Sequence, residues 1–248
     1  TAEAGVRKLE QRLSQVCRKA IMDIDSQKTT RIKLSNIKIA EYLGTPHSKD
    51  TSKAKEPTIG RMTGLAYTSV GGALLDIEAI TYPGKGQIKV TGSIGAVMRE
   101  SIDVAYSLVR SKAAQLGIKS DVIDNTDVHI SFPALSTPKD GPSATLVITT
   151  VIASVLAKRA ITNNIACTGE MDLRGNATAI GGLREKLLAA LRNDISTVLI
   201  PRSNLVDLDD VSNDIKSKLN IVAVDNIDDV FKHAFIMLPN TIDLSKFT

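Results

Sequence analysis

The sequence predicts an α+β fold, with mixed sheets and packed helices, preceded by a small all-α segment. Three observations predict it. Residues 1–44 carry apolar positions at helical spacing. A polar, lysine-rich stretch, GTPHSKDTSKAKEP, then breaks the pattern. Beyond it, strand-like alternation mixes with helical periods without a regular βαβ repeat.

Taken in order, AGVRKLEQRLSQVCRKAIMDI places Val6, Leu9, Leu13, Val16, Ala20 and Ile24 three and four residues apart, with charged and amide side chains between them. That spacing predicts an amphipathic helix. A shorter helix, NIKIAEYL, follows, with Ser35 as its N-cap and Gly44 as its stop, so helix–helix packing is implied. The expected organisation is a helical segment at 1–44, a linker at 45–57, the main domain at 58–240 and a tail at 241–248. Within the main domain GLAYTS, GGALLDIEAITYPGKGQIKVTG and DVHISFP read as strands with Gly and Pro-Gly turns, and TYPGKGQIKV reads as a hairpin. Helices are predicted over Ala96–Leu116, Ser143–Ala160 and Leu183–Arg192. The strand VLIP and a closing helix over Asp225–Phe235 complete the pattern, with no internal repeat.

Composition narrows the function classes. At 248 residues and 43% hydrophobic content the chain can bury one sizeable core, with room for a second small one. Thirty-one Lys and Arg against 27 Asp and Glu are scattered rather than blocked, which is weak support for DNA binding. Cys17 and Cys167 belong to no paired or metal-ligand spacing, so no metal site is expected. The most apolar run, Leu146 to Ala157, is shorter than the roughly 20 residues of a membrane span. It reads as a core helix.

Candidates for chemistry are few. His47, His129 and His233 are the only histidines, none in an HExxH or GxSxG context, and no Walker A or GxGxxG loop is present. In TPKDGPSATLVITT, Ser143 stands at the mouth of the apolar run, directly after Asp-Gly-Pro. One reading is a helix cap. The other is a nucleophile aimed by a sharp turn at a helix N-terminus, where free N–H groups stabilise an oxyanion. A serine needs a base, and a neutral lysine is the route left open. Free lysine, with pKa about 10.4, is neutral in about one molecule in a thousand near pH 7.4, so the base must be desolvated. Lys186 flanks the Leu183, Leu187, Leu191 stripe of its helix, while Glu185 and Arg192 point outward. Its other reading is a lysine whose stem covers an apolar edge and whose ammonium stays wet. Ser35-Asn36-Ile37-Lys38 also matches S-x-x-K, but a helix cap explains it better.

PKDGPSA at 138–144, TGEMDLRGNATAIGGLREKLLAA at 168–190 and the following VLIP together resemble the protease domain of the Lon family of ATP-dependent proteases. EAGVRKLEQRLSQVCRKA, EYLG, IGRMTGLAYTSVGG, IEAITYPGKGQIKVTGSIGAVMRES and DVHI fall in the family's order, so the resemblance covers nearly the whole chain. It implies a Ser-Lys dyad, with Ser143 as nucleophile and Lys186 as general base and later acid. Thr168 would orient the lysine amine, Glu170 and His129 match polar positions near the site, and Asp140 is a candidate for pairing with Lys186 in a resting form. The helices before the linker resemble the end of the α-helical ATPase subdomain, and Arg7 matches its nucleotide-sensing arginine. No cofactor is implied within this chain; ATP and Mg would belong to an ATPase module upstream. The resemblance further implies unfolded or damaged protein substrates, a homo-hexamer, no membrane, and a cytoplasmic or mitochondrial-matrix setting. The alternative is a noncatalytic platform of the same fold that assembles a ring for an ATPase acting on DNA. The chain departs from the family at Ser131, where many members carry a second histidine, at Thr145 in place of glycine, and at Ala179 in place of proline.

Overall fold

The computed structural model describes residues 5–26, 30–44 and 56–236. The chain divides into two compact units, Thr1–Ser52 and Lys53–Thr248. Residues 45–55 of the expected linker, with His47, and the expected tail at 241–248 lie outside the described residues.

The first unit holds helices α1 (Arg7–Asp25) and α2 (Asn36–Leu43). Ser35 caps α2 by accepting a hydrogen bond from Lys38 N at 3.2 Å, and Gly44 closes it at φ 79°. This accounts for the Ser35-x-x-Lys38 spacing. Val16 and Tyr42 are buried, and the Tyr42 hydroxyl donates to Asp23 at 2.7 Å. The expected apolar stripe is only partly covered, since Leu13 and Ile24 are exposed within this unit.

The second unit is built on a seven-stranded mixed sheet in the order β3-β4-β2-β1-β5-β8-β9. The strands are β1 (Arg61–Thr68), β2 (Gly71–Pro83), β3 (Ile88–Thr91), β4 (Thr126–Ser131), β5 (Ile165–Cys167), β8 (Thr197–Pro201) and β9 (Asn220–Val224). A separate pair joins β6 (Glu170–Met171) and β7 (Ala177–Thr178). The helices are α3 (Ala96–Ser111), α4 (Ser120–Asp124), α5 (Thr145–Ala157), α6 (Leu183–Arg192), α7 (Asn213–Lys216) and α8 (Ile227–Ala234). β1 runs antiparallel to β2 and parallel to β5, so the sheet changes character at its centre. From β5 through β8 to β9 all pairs are parallel, joined through α6 and then α7.

The expected TYPGKGQIKV hairpin does not form, because β4 lies between β2 and β3. Strands flanking a third are about 10 Å apart, too far for ladder bonds. The Pro-Gly-Lys-Gly turn instead wraps Asp127, whose Oδ1 accepts from Lys85 N and Gln87 N, both at 2.8 Å.

Strand alternation distributes two cores. Met62, Ile77, Val128, Ile130, Cys167 and Leu199 face the layer of α3, α5 and α8. Leu65, Ala166, Val198 and Ile200 face the layer containing α6. α5 is mostly apolar and is buried on every side from Thr145 through Leu156, with the hydroxyls of Thr149, Thr150 and Ser154 bonded to backbone carbonyls. It starts later than the sequence predicts: Pro142–Ala144 form a 3₁₀ turn and the α-helix begins at Thr145. One cause is tertiary and one local: the Ser143 carbonyl already accepts from Gly169 N at 2.8 Å, and the Thr145 hydroxyl bonds back to the Pro142 carbonyl at 2.6 Å. α3 likewise ends at Ser111, short of Leu116.

Candidate active site

The site forms where β5 ends. Along that strand Ile165 and Cys167 face one core and Ala166 the other, so the next residue in the alternation, Thr168, turns toward α6. Thr168 N donates to Leu199 O at 3.1 Å, which holds this strand end against β8.

α6 carries Lys186 to the same place. The helix buries Leu183, Lys186, Leu187 and Ala190 along one face. Lys186 is 2% exposed, so its ammonium does not reach water as a surface lysine's would. Its Nζ donates to Thr168 Oγ1 at 3.1 Å, and no other hydrogen bond or ion pair engages that amine among the described residues. Burial without an acidic partner pushes Lys186 down to about 8. The lowered value and the Thr168 contact belong to one arrangement, because a hydroxyl satisfies the amine without favouring its charged form as a carboxylate would.

Close packing sets the height of α6 on the sheet. A Cβ at Gly72 of β2 would collide with the Glu185 carbonyl, and one at Gly182 would meet the Tyr67 ring at 3.0 Å. Glu185 is therefore half-buried rather than outward, and Leu191 is half-buried too, whereas Arg192 is exposed. Asn204, 1% exposed, clamps the residues before α6: its Oδ1 accepts from Ile180 N at 3.0 Å and its Nδ2 donates to Ile180 O at 2.8 Å.

The loop bearing Ser143 is anchored from both sides. Thr168 Oγ1 donates to the Ser143 carbonyl at 3.2 Å, alongside the Gly169 N–H already described. The hydroxyl's single proton is thus directed at Ser143, leaving its lone pairs to accept from Lys186. No hydrogen bond joins Ser143 Oγ to Lys186 Nζ among the described residues. Further back, Lys139 Nζ donates to three carbonyls, Gly92 at 3.2 Å, Ala134 at 2.8 Å and Thr137 at 2.9 Å. It ties the loop to the segment after β3.

Asp140 has partners other than the expected Lys186. Its Oδ1 accepts from Met98 N and Gly141 N, both at 2.9 Å, and so caps α3 from outside that helix. Gly95, the residue at the helix's own cap position, has no side chain to do so, and a Cβ there would collide with the Asp140 carboxylate.

Comparison with known proteins decides the family. Residues 33–237 match the Lon protease C-terminal proteolytic domain, and residues 1–32 match the Lon protease AAA+ ATPase lid domain. The chain belongs to the Lon protease family. It is 47% identical over 246 residues to the Lon protease of Rickettsia prowazekii, covering 99% of this chain and 31% of that protein. It is 48% identical over 240 residues to that of Rickettsia conorii, covering 96% and 31%, and 44% identical over 243 residues to that of Rhizobium meliloti, covering 98% and 30%. The chain therefore spans about a third of the length of these Lon proteases.

The remaining residues expected from the Lon resemblance lie at varied places. His129, on β4, has Nε2 at 3.1 Å from Thr91 Oγ1, which itself donates to Ser131 Oγ at 3.2 Å. Ser131 thus takes part in a polar cluster on the strand. Glu170 begins β6, two residues after Thr168, and no hydrogen bond or ion pair engages its carboxylate among the described residues. Arg7 is exposed at the start of α1, in the other unit. Thr145 is fully buried and keeps α-helical geometry at φ −59°, while Ala179 is exposed. Sequence reasoning missed Lys139 and Asn204, since neither sits in a periodic pattern and both act through backbone groups distant in sequence. Among the described residues no group of three or more His, Cys, Asp or Glu is placed to hold a metal ion, and no helix is long and apolar enough to cross a membrane.

Proposed function

We propose that this chain hydrolyses peptide bonds through Ser143 and Lys186, as the proteolytic domain of a longer ATP-dependent Lon protease. The observation that carries the reading is the Lys186 amine: 2% exposed, without an acidic partner, and hydrogen-bonded to a threonine that also holds the Ser143 backbone. A noncatalytic platform would make no such demand on a buried lysine, and DNA binding has only a small charge excess in its favour.

With its pKa at about 8, Lys186 is neutral in roughly a quarter of molecules at pH 7.5, against about one in a thousand for free lysine. One N–H goes to Thr168, and the lone pair is left for the serine proton. Ser143 Oγ attacks the substrate carbonyl as Lys186 takes that proton, giving a tetrahedral oxyanion and an ammonium. The Ser143 N–H, early in its 3₁₀ turn and without an acceptor within it, is the natural oxyanion donor. Gly141 N is engaged with Asp140, so it joins only if the loop shifts. The ammonium then protonates the leaving amine, and water reverses the sequence on the acyl-enzyme. Asp140, Glu170 and His129 support the site from the loop, β6 and β4, with Asp140 acting through the α3 cap.

Substrates in this reading are unfolded or damaged proteins delivered by a ring of six chains, in the cytoplasm or the mitochondrial matrix. Residues 1–44 would close the ATPase subdomain, with Arg7 sensing nucleotide, and residues 58–240 would form the protease. ATP and Mg would be held upstream, and no step of the hydrolysis is routed through them.

Cleavage of a fluorogenic peptide by the full-length protein with ATP tests the proposal. Ser143→Ala and Lys186→Ala should each abolish it while leaving ATP hydrolysis; retention of cleavage by either variant sinks the dyad.

A further inference from the structure

A cavity of about 230 Å³ opens between the end of α3, the residues after α5 and helix α8, with Lys112, Arg159, Asp228, Phe231, Lys232 and Phe235 among its walls. It lies apart from Ser143. The thirteen residues of α5 stand between Ser143 and Arg159 and, at about 1.5 Å each, span roughly 20 Å.

The floor is aromatic. Phe231 and Phe235 are buried, and their rings stack with centroids 5.1 Å apart. The Arg159 guanidinium lies 4.7 Å from the Phe235 ring centroid. The other two cations are matched: Lys112 pairs with Asp228 at 2.7 Å and Lys232 with Asp229 at 2.9 Å. No carboxylate pairs with Arg159 among the described residues.

The frame beneath Arg159 is rigid. Buried Ser154 donates its hydroxyl to the Arg159 carbonyl and accepts from Gly60 N at 2.9 Å, while Arg159 N donates to Ser154 O at 3.0 Å. Ile236 N donates to Ala160 O at 3.0 Å, and Thr162 N to Ala234 O at 2.8 Å, so the arginine segment and the end of α8 are held together. The backbone of Arg159 is thereby held in place, and the guanidinium, without a carboxylate partner among the described residues, lies over the Phe235 ring at the wall of an aromatic pocket before any ligand arrives.

We propose that this cavity binds a monoanionic carboxylate carrying an apolar body about the size of one large side chain. The guanidinium fork takes the carboxylate, and the body packs against Phe231. With Lys112 and Lys232 already paired to Asp228 and Asp229, Arg159 offers one uncompensated positive charge, which suits a single negative charge. A free carboxylic acid and the C-terminal residue of a polypeptide share this chemistry. The proposal does not depend on the dyad.

The test is an NMR titration of the Ser143→Ala chain, which cannot consume a peptide by the proposed route. The probes are 3-phenylpropionate, its amide, and a pentapeptide ending in phenylalanine as the acid and as the amide. Saturable shifts of Phe231 and Phe235 with an acid, weakened at least tenfold for its amide and in Arg159→Met, are expected. Arg159→Lys, which keeps charge without the fork, should fall between and serves if the methionine variant misfolds. Binding of the peptide acid alone assigns the site to polypeptide termini, whereas binding of both acids shows that the small acid suffices. Equal binding of acid and amide, or no binding of either acid, overturns the proposal.

Discussion

Lys186 Nζ donates to Thr168 Oγ1 at 3.1 Å, and the same hydroxyl sends its proton to the Ser143 carbonyl at 3.2 Å. One side chain therefore orients the amine and fixes the backbone that carries Ser143. Thr168→Val keeps the shape and removes both bonds. A fall in kcat of about 10- to 100-fold with little change in KM is expected, the buried amine losing roughly 1–3 kcal/mol of hydrogen bonding. Thr168→Ser should recover most of the rate, which peptide kinetics on the three proteins would show.

If the proposed dyad operates, activity should climb about tenfold per pH unit below pH 8 and level off above it, since only a neutral Lys186 could accept the serine proton. A profile flat from pH 6 to 9 would remove lysine as the base.

The same lysine should weaken the fold near neutrality. Its proton is held up to about pH 10.4 in the unfolded chain but only to about 8 in the folded one. Between those values the unfolded state binds more protons, so this contribution to stability rises with pH. At pH 7 the charged, buried lysine costs roughly 3 kcal/mol. Lys186→Met should therefore be more stable than the parent in urea at pH 7 by up to about that amount, with the gain shrinking toward pH 10.

Gly72 is where β2 admits α6. Gly72→Val would drive a side chain into the Glu185 carbonyl and lift the helix. A loss of about 1–3 kcal/mol is expected from such overpacking, together with a drop in kcat larger than the lost fraction of folded protein explains. Thermal unfolding and active-site titration on one sample separate the two.

Asp140→Ala should lower stability by about 1 kcal/mol through loss of the α3 cap. Asp140→Asn retains an acceptor and should fall between parent and alanine variant. Chemical denaturation of the three proteins orders them.

Local order was legible in the sequence where a signal is local. Ser35 and Gly44 bound α2 because capping uses residues within one turn, and Leu183–Arg192 showed its period directly. The TYPGKGQIKV segment misled because its turn residues suit a hairpin, while the strand that intervenes arrives some 40 residues later, bringing Asp127 into the turn. In the site, spacing alone left Ser143 between cap and nucleophile and Lys186 between wet and buried. The burial of Lys186 resolves its side of that choice. Thr168 carried no local signal and was found only through the family resemblance. Asp140 was expected opposite Lys186, yet no sequence rule shows that Gly95 leaves the end of α3 open for it.

The sheet order β3-β4-β2-β1-β5-β8-β9 also bears on how the molecule is made. A ribosome releases residues in numerical order, so β2 and β3 emerge as unjoined ribbons and wait for β4 to knit them. When Ser143 leaves the exit tunnel, β5, Thr168 beyond it and α6 are still behind it, inside the tunnel or not yet translated. The nascent polypeptide thus carries its serine without the amine or the clamp, and the proposed dyad cannot assemble on the polysome until almost the whole domain has been synthesised.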